Sequence, residues 1–361
     1  LNGHARAVDA WIRAALAPPR AHGEPLPSAV FKAMPDDFRV EEELSFTPSG
    51  DGPHWLLQIE KRSANTRWVA AQLAQLAGVA AHDVGFAGLK DRHAVTVQWF
   101  SVPVRGASAE HWLGVQTGEF RVLDVRANAR KLRRGALAGN RFSIRLRDVP
   151  WTGGQLESKL TALRAHGVPN YFGPQRFGRD GSNLDRVQAW IATGRAPRGR
   201  TERAFALSAA RALLFNAVLA RRVEAGDWSQ LAAGDLASLE GSGSHFQVAE
   251  VDDDLLRRLS AFDVHPSGAL WGRGLPASGG RALRHELDAA KEFEDVASLL
   301  GALGLSQERR SLRCTVRELS VRQQAGILEL SFRLGRGQFA TAVLREICDL
   351  GAAAELEPDD G

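Results

Sequence analysis

Two cysteines, Cys314 and Cys348, one methionine and one tyrosine, Tyr171, are all that the 361 residues contain of those types. Cysteines so far apart lack the close spacing of a metal or redox pair, and a reducing, cytoplasmic setting is expected. No apolar run approaches the ~18 residues of a membrane span. The first 27 residues carry Arg6, Arg13 and Arg20 without the continuous apolar stretch of a secretory signal. That segment is read as a ragged start with a short helix, a transit-like presequence being the alternative. Also missing are a GxxxxGK[ST] phosphate loop, an HExxH pair and any zinc-spaced Cys/His set, so chemistry without ATP or metal is expected. Gly335 to Ala340 imitates a dinucleotide fingerprint between a strand and a helix, but too little chain follows to complete a βαβ unit.

The length suffices for two globular domains, and 44% hydrophobic with 24% charged residues is the balance of a folded chain. A net charge of +4 and 46 basic residues permit a polyanionic partner without demanding one. Extended segments are expected at Ala29 to Lys32, Phe38 to Leu44 and His54 to Lys61. A helix follows from an Asn65 or Thr66 cap to Ala77, stopped by Gly78. An alternating strand from about Val95 to Val104 leaves Asp91 on the loop before it. Phe142, Ile144 and Leu146 alternate with Ser143, Arg145 and Arg147, giving one apolar and one basic face. Helical texture then takes over, including Ser208 to Ala225 with Ser208 as cap, while 226–283 is poorly periodic. Leu328, Leu330, Phe332 and Leu334 alternate again before a helix from about Phe339 to Leu350, so the chain is expected to return to its first sheet.

Three constellations carry chemistry. Arg126 to Arg147 holds eight cations and no acid, which suits a phosphate surface as well as it suits a solvated loop. Asn170 to Asn183 interleaves Tyr171, Phe172 and Phe177 with Arg176 and Arg179, which fits stacked bases or a simple aromatic core. In AGLKDRHA the carboxylate of Asp91 lies between Lys90 and Arg92, which would hold it ionised for nucleophilic work; a surface ion-pair cluster is the plainer reading.

KAMPDDF (Lys32 to Phe38), GFAGLKDRHAVTVQWF (Gly85 to Phe100), GNRFSIRLR (Gly139 to Arg147), PNYFGPQRFG (Pro169 to Gly178) and FATAVLRE (Phe339 to Glu346) resemble, in order, the signature segments of the TruD family of tRNA pseudouridine synthases. The resemblance spans nearly the whole chain from residue 30. It implies an α+β fold: a pseudouridine-synthase catalytic domain, a mixed sheet flanked by helices, built from 1–165 and 314–361 around an inserted, largely helical TRUD domain over 166–313. It also implies a tRNA substrate, with uridine-13 the target in bacterial members, and isomerisation without cofactor, metal or membrane; a monomer is expected. By the motif match Asp91 stands as nucleophile, Lys32 as its basic partner and Phe142 as the platform under the target base, with Phe38, Asn140 and Phe339 at substrate contacts. Arg92 and Arg176 join them as substrate-binding candidates through the chemistry of their segments. Asp36 departs from the family's usual glutamate, without touching Asp91. A non-catalytic RNA binder or RNA chaperone on the same scaffold is the competing reading.

Overall fold

The computed structural model describes residues 11–151 and 153–350, so the ragged start expected over 1–10 lies outside the described residues, while 11–16 is helical. The chain then lays down β1 (Val30–Phe31), β2 (Phe38–Leu44), β3 (His54–Arg62), α1 (Thr66–Ala77), β4 (Gly85–Phe86), β5 (Val95–Pro103), α2 (Ala109–Leu113), β6 (Phe120–Asn128), β7 (Leu137–Arg147) and α3 (Gly153–His166). A second region holds β8 (Val168–Pro169), α4 (Ser182–Thr193), α5 (Arg200–Glu224), β9 (Leu236–Leu239), β10 (His245–Gln247), α6 (Asp253–Ser260), β11 (Val264–Leu270), α7 (Gly280–Glu292), α8 (Glu294–Ala302), β12 (Glu308–Ser311) and β13 (Arg313–Cys314). β14 (Arg317–Gln324), β15 (Ile327–Gly335) and α9 (Ala340–Ile347) follow.

Local chemistry accounts for the elements around the site. The Asn65 side chain accepts from the Arg67 amide at 2.8 Å and starts α1, and Gly78 ends it at φ 62°, a left-handed conformation that costs glycine little. β15 pairs antiparallel with β7, Phe332 opposite Phe142 and Leu334 opposite Asn140, so the returning segment does join the first sheet. The large sheet runs β14-β15-β7-β2-β5-β3-β6, with β2 and β5 its parallel pair.

One face of this sheet carries two apolar packs. Phe38, Val40, Phe142, Ile144 and Phe332 pack under α3 and α9, and Leu57, Ile59 and Phe100 pack under α1. The ladder registers put Glu42, Asn140, Thr96, Gln98 and Lys61 on that same face, in a polar row between the packs. β5 is buried on both faces, so its alternation separates not solvent from core but this polar row from a second apolar layer of Leu56, Trp99 and Leu132.

The second region departs from several expectations. Besides helices it contains a four-stranded sheet, β10-β9-β11-β12, three of whose strands come from the stretch whose periodicity was illegible. α5 begins eight residues before the expected cap, at Arg200 after Gly199, and Ser208 sits inside it. Its composition is long and apolar enough to cross a membrane, yet 61% of the apolar window is buried here, which marks a core helix. Tyr171, Phe172 and Phe177 are buried against it, so they form core and not a base-stacking surface.

Candidate active site

Asp91 lies on the loop between β4 and β5, and the polar row beneath it is what fixes that loop. Lys61, fully buried, donates from Nζ to the Ala64 carbonyl at 2.6 Å and to the Asp91 carbonyl at 2.9 Å. Lys90 donates its amide to Thr66 Oγ1 at 3.0 Å and its ammonium to buried Glu42 at 2.5 Å. Glu42 uses its other oxygen to accept from the Trp99 amide at 3.2 Å. Gln98 reaches the Gly88 carbonyl at 3.3 Å, and the Gly135 amide donates to the Ala87 carbonyl at 2.7 Å. The chain from Ala87 to Asp91 is thereby held by buried partners from β2, β3, β5 and α1.

The expected flank of cations does not form. Lys90 is committed to Glu42, and Arg92 is exposed. The counter-charge comes instead from Lys32, whose Nζ lies 3.3 Å from Asp91 Oδ2, with side chains 4% and 27% exposed respectively. Lys32 has φ 56°, a strained conformation for a side-chain-bearing residue of the kind that persists where surrounding structure enforces it. Enforcement comes from the following turn: Asp37, fully buried, takes both Arg147 bonds at 2.8 Å and accepts the Met34 amide at 3.1 Å. Burial lowers the Lys32 ammonium below its ordinary value, and Asp91 pushes it back up. Asp36 pairs with exposed Arg62, away from this turn's buried side.

The Lys32 ammonium lies 3.9 Å from the Phe38 ring centroid, a cation–π contact, and Phe38 is 6.1 Å from Phe142, which stacks on Phe332 at 5.4 Å. Asp91, Lys32, Phe38 and Phe142 are therefore linked contact by contact. Asn140 stands opposite Glu42 and two residues from Phe142 on the same face, and its buried Oδ1 has no hydrogen-bond partner. Phe339 caps α9 and packs partly against the second region's core, and Arg176 lies in that region beside Phe172; neither joins the Asp91 cluster in a direct contact shown here. Glu42 and Lys61 were not among the candidates, although period-two reading places each on an otherwise apolar face.

The arginine run also changes meaning. Arg126 pairs with Asp124, Arg141 with Glu318, Arg145 with Glu329 and Arg147 with Asp37. Apart from Arg126, whose acid lies two residues before it on β6, these strand arginines pair with acids from elsewhere in the chain and form an ion-pair lattice, not an open phosphate surface. Arg130, Arg133 and Arg134 remain exposed, Arg134 lying over Phe86 at 3.8 Å. Among the described residues no three His, Cys, Asp or Glu side chains group as metal ligands.

This mixed sheet with a helix-rich second region matches, over 96% of the chain and 99% of the other, a solved structure from Methanosarcina mazei described as tRNA pseudouridine synthase D (TM-score 0.75, 17% identity), which defines the class as the α+β pseudouridine-synthase fold. The profile of the family "tRNA pseudouridine synthase D (TruD)" matches residues 25–198 and 200–347. Proteins named tRNA pseudouridine synthase D are 46% identical in Methylococcus capsulatus (92% of this chain, 94% of that one) and 47% identical in Nitrosococcus oceani (90% and 91%). The chain belongs to the TruD family.

Proposed function

We propose that the protein isomerises a uridine of tRNA, uridine-13, to pseudouridine, with Asp91 as the acting carboxylate and no cofactor. The observation that carries this is the Asp91–Lys32 pair set against Phe38 and Phe142 in a chain of this family. In the reaction the N1–C1′ bond breaks, the uracil turns, and C5 bonds to C1′ while its proton leaves and N1 regains one. Addition of Asp91 to C1′, addition to C6 and proton abstraction all require that carboxylate at the same place. Lys32, itself nearly buried, supplies the counter-charge; Phe142, at the end of the stack on Phe332, is read as the ring that backs the base once the RNA opens the cleft, and the unpartnered Asn140 Oδ1 as the group that reads the uracil edge.

Extruding the uridine costs a few kcal/mol in lost stacking, which contacts to the strand must offset. In this reading the protein acts as a monomer, with 1–165 and 314–361 performing the chemistry and 166–313 clasping the RNA from the other side. The test is tritium release from tRNA labelled at C5 of uracil, with the modified position mapped in parallel. Wild type releases tritium from position 13 and Asp91→Ala releases none. Undiminished release by Asp91→Ala, or none from wild type alongside tight RNA binding, defeats the proposal, the second outcome leaving an RNA binder.

A further inference from the structure

Among the described residues, most arginines set deep in the protein pair with a carboxylate or feel one close by. Arg222 meets Asp227 and Asp235, Arg309 meets Glu286, Arg345 meets Glu346, and Arg313 feels the charge of Glu240. Arg176 and Arg310 break the pattern. Arg176, on the short helical turn Pro174–Phe177, gives Nη1 to the Ser208 hydroxyl at 2.8 Å, and its buried Nε has no partner. Arg310, on β12, gives Nη2 to Asn170 Oδ1 at 2.6 Å and to the Gly337 carbonyl at 3.0 Å. Every acceptor shown for the two side chains is neutral.

Both guanidinium groups lie against one ring, Arg310 4.2 Å and Arg176 5.1 Å from the Phe172 centroid. Burial takes Arg310 down to about 10 and lowers Arg176, and the Arg176 charge also depresses Arg310. Two like charges half-buried with no acid between them are costly in the empty protein, and an anion bound between them offsets that cost. Guanidinium forks match the oxygens of a phosphodiester, and an aromatic backing keeps their planes in place. The location fits: Gly337, which Arg310 holds, lies in the turn that delivers Phe339 to α9.

We propose that Arg176 and Arg310 together bind one phosphodiester of the RNA strand, seated against Phe172 and the Gly337 turn. The chemistry of the ligand, a phosphate oxyanion, follows from the two side chains; its source in tRNA rests on the function proposed above. The sequence offers Arg176 together with its near neighbour Arg179. Arg310 becomes its partner only through the meeting of β12 with the 170–178 segment.

The experiment is equilibrium binding of tRNA to wild type, Arg310→Gln and Arg176→Gln across a salt series, with tRNAs assembled to carry a single uncharged methylphosphonate linkage at successive positions. Each glutamine variant is expected to weaken binding about tenfold and to flatten the log–log salt dependence by roughly 0.7–0.9, the share of one phosphate. One methylphosphonate position should weaken wild-type binding similarly and lose its effect in Arg310→Gln. Wild-type affinity and slope in both variants overturn the proposal. So does a scan of the wild type alone in which no single linkage matters, a measurement that does not depend on how the variants fold. A wild type that binds no tRNA sinks the functional reading together with this one, whereas binding without a sensitive linkage sinks this one only.

Discussion

Lys90→Met tests whether the buried ion pair beneath the Asp91 loop holds that loop. The Lys90 and Glu42 side chains are 7% and 0% exposed, and their charged atoms are 2.5 Å apart. Removing the ammonium strands a carboxylate in the interior, a change that costs about 3–5 kcal/mol when nothing else compensates. Here the Trp99 amide still donates to Glu42, which puts the expected loss near the lower end of that range. At about 2 cal/mol/K per residue of unfolding entropy, such a loss lowers Tm by roughly 4–8 °C, depending on whether the whole chain or only the region around the large sheet melts as a unit. Lys90→Met/Glu42→Gln removes the stranded charge while the glutamine carbonyl keeps the Trp99 bond, so more than half of the lost stability should return. Activity should not return with it, because the side-chain anchor next to Asp91 is gone in both variants. Calorimetry on wild type, both single variants and the double variant, together with single-turnover pseudouridine formation, reads both quantities. If Lys90→Met melted with wild type and turned over at the same rate, the pair would be an ornament and the loop would be held by Lys61, Thr66 and Gln98 alone.

Lys32→Met should abolish most turnover and flatten the alkaline side of the stability profile. Burial lowers the folded pKa of Lys32 below its ordinary 10.5, so the unfolded chain binds the extra proton between those two values; the penalty is full below the folded value and is relieved as pH rises toward 10.5, which denaturation at stepped alkaline pH measures. Arg145→Gln, which breaks an exposed pair with Glu329 on the back of the sheet, should leave both tRNA affinity and Tm near wild type; a marked loss of affinity in a filter-binding assay would restore the basic strand to the RNA interface. Phe177→Ala should destabilise by about 3–5 kcal/mol, because the ring is fully buried in the second core; a soluble variant with unchanged melting but weaker RNA binding would return it to the role of a base platform.

The pattern of what could be foreseen follows from how far apart the interacting groups lie in the chain. Period two gave β7 and β15 their apolar faces, and capping chemistry gave α1 its ends, because those signals are local. The same periodicity, carried one step further, would have found Glu42 beside Phe38 and Val40, and Lys61 beside Leu57 and Ile59, each a charge on an apolar face. A charge in such a place needs a partner, and the partner in each case is the loop that carries Asp91. The error about Asp91 arose from taking chain neighbours for spatial neighbours. Lys90 turns inward to Glu42 and Arg92 lies exposed, so neither flanks the carboxylate, and a residue 59 positions away takes that place. The arginine run failed for the same reason in reverse: a stretch without acids in sequence acquires them on folding, as Arg145 does across the ladder from Glu329 and Arg147 from Asp37 in the turn before β2. Counting charge along a strand therefore says little about the potential at a surface until the opposing strand is known. By that standard the cations most informative about an anionic partner are those that remain without an acid after folding, and Arg176 with Arg310 meets it more sharply than the whole of the basic strand.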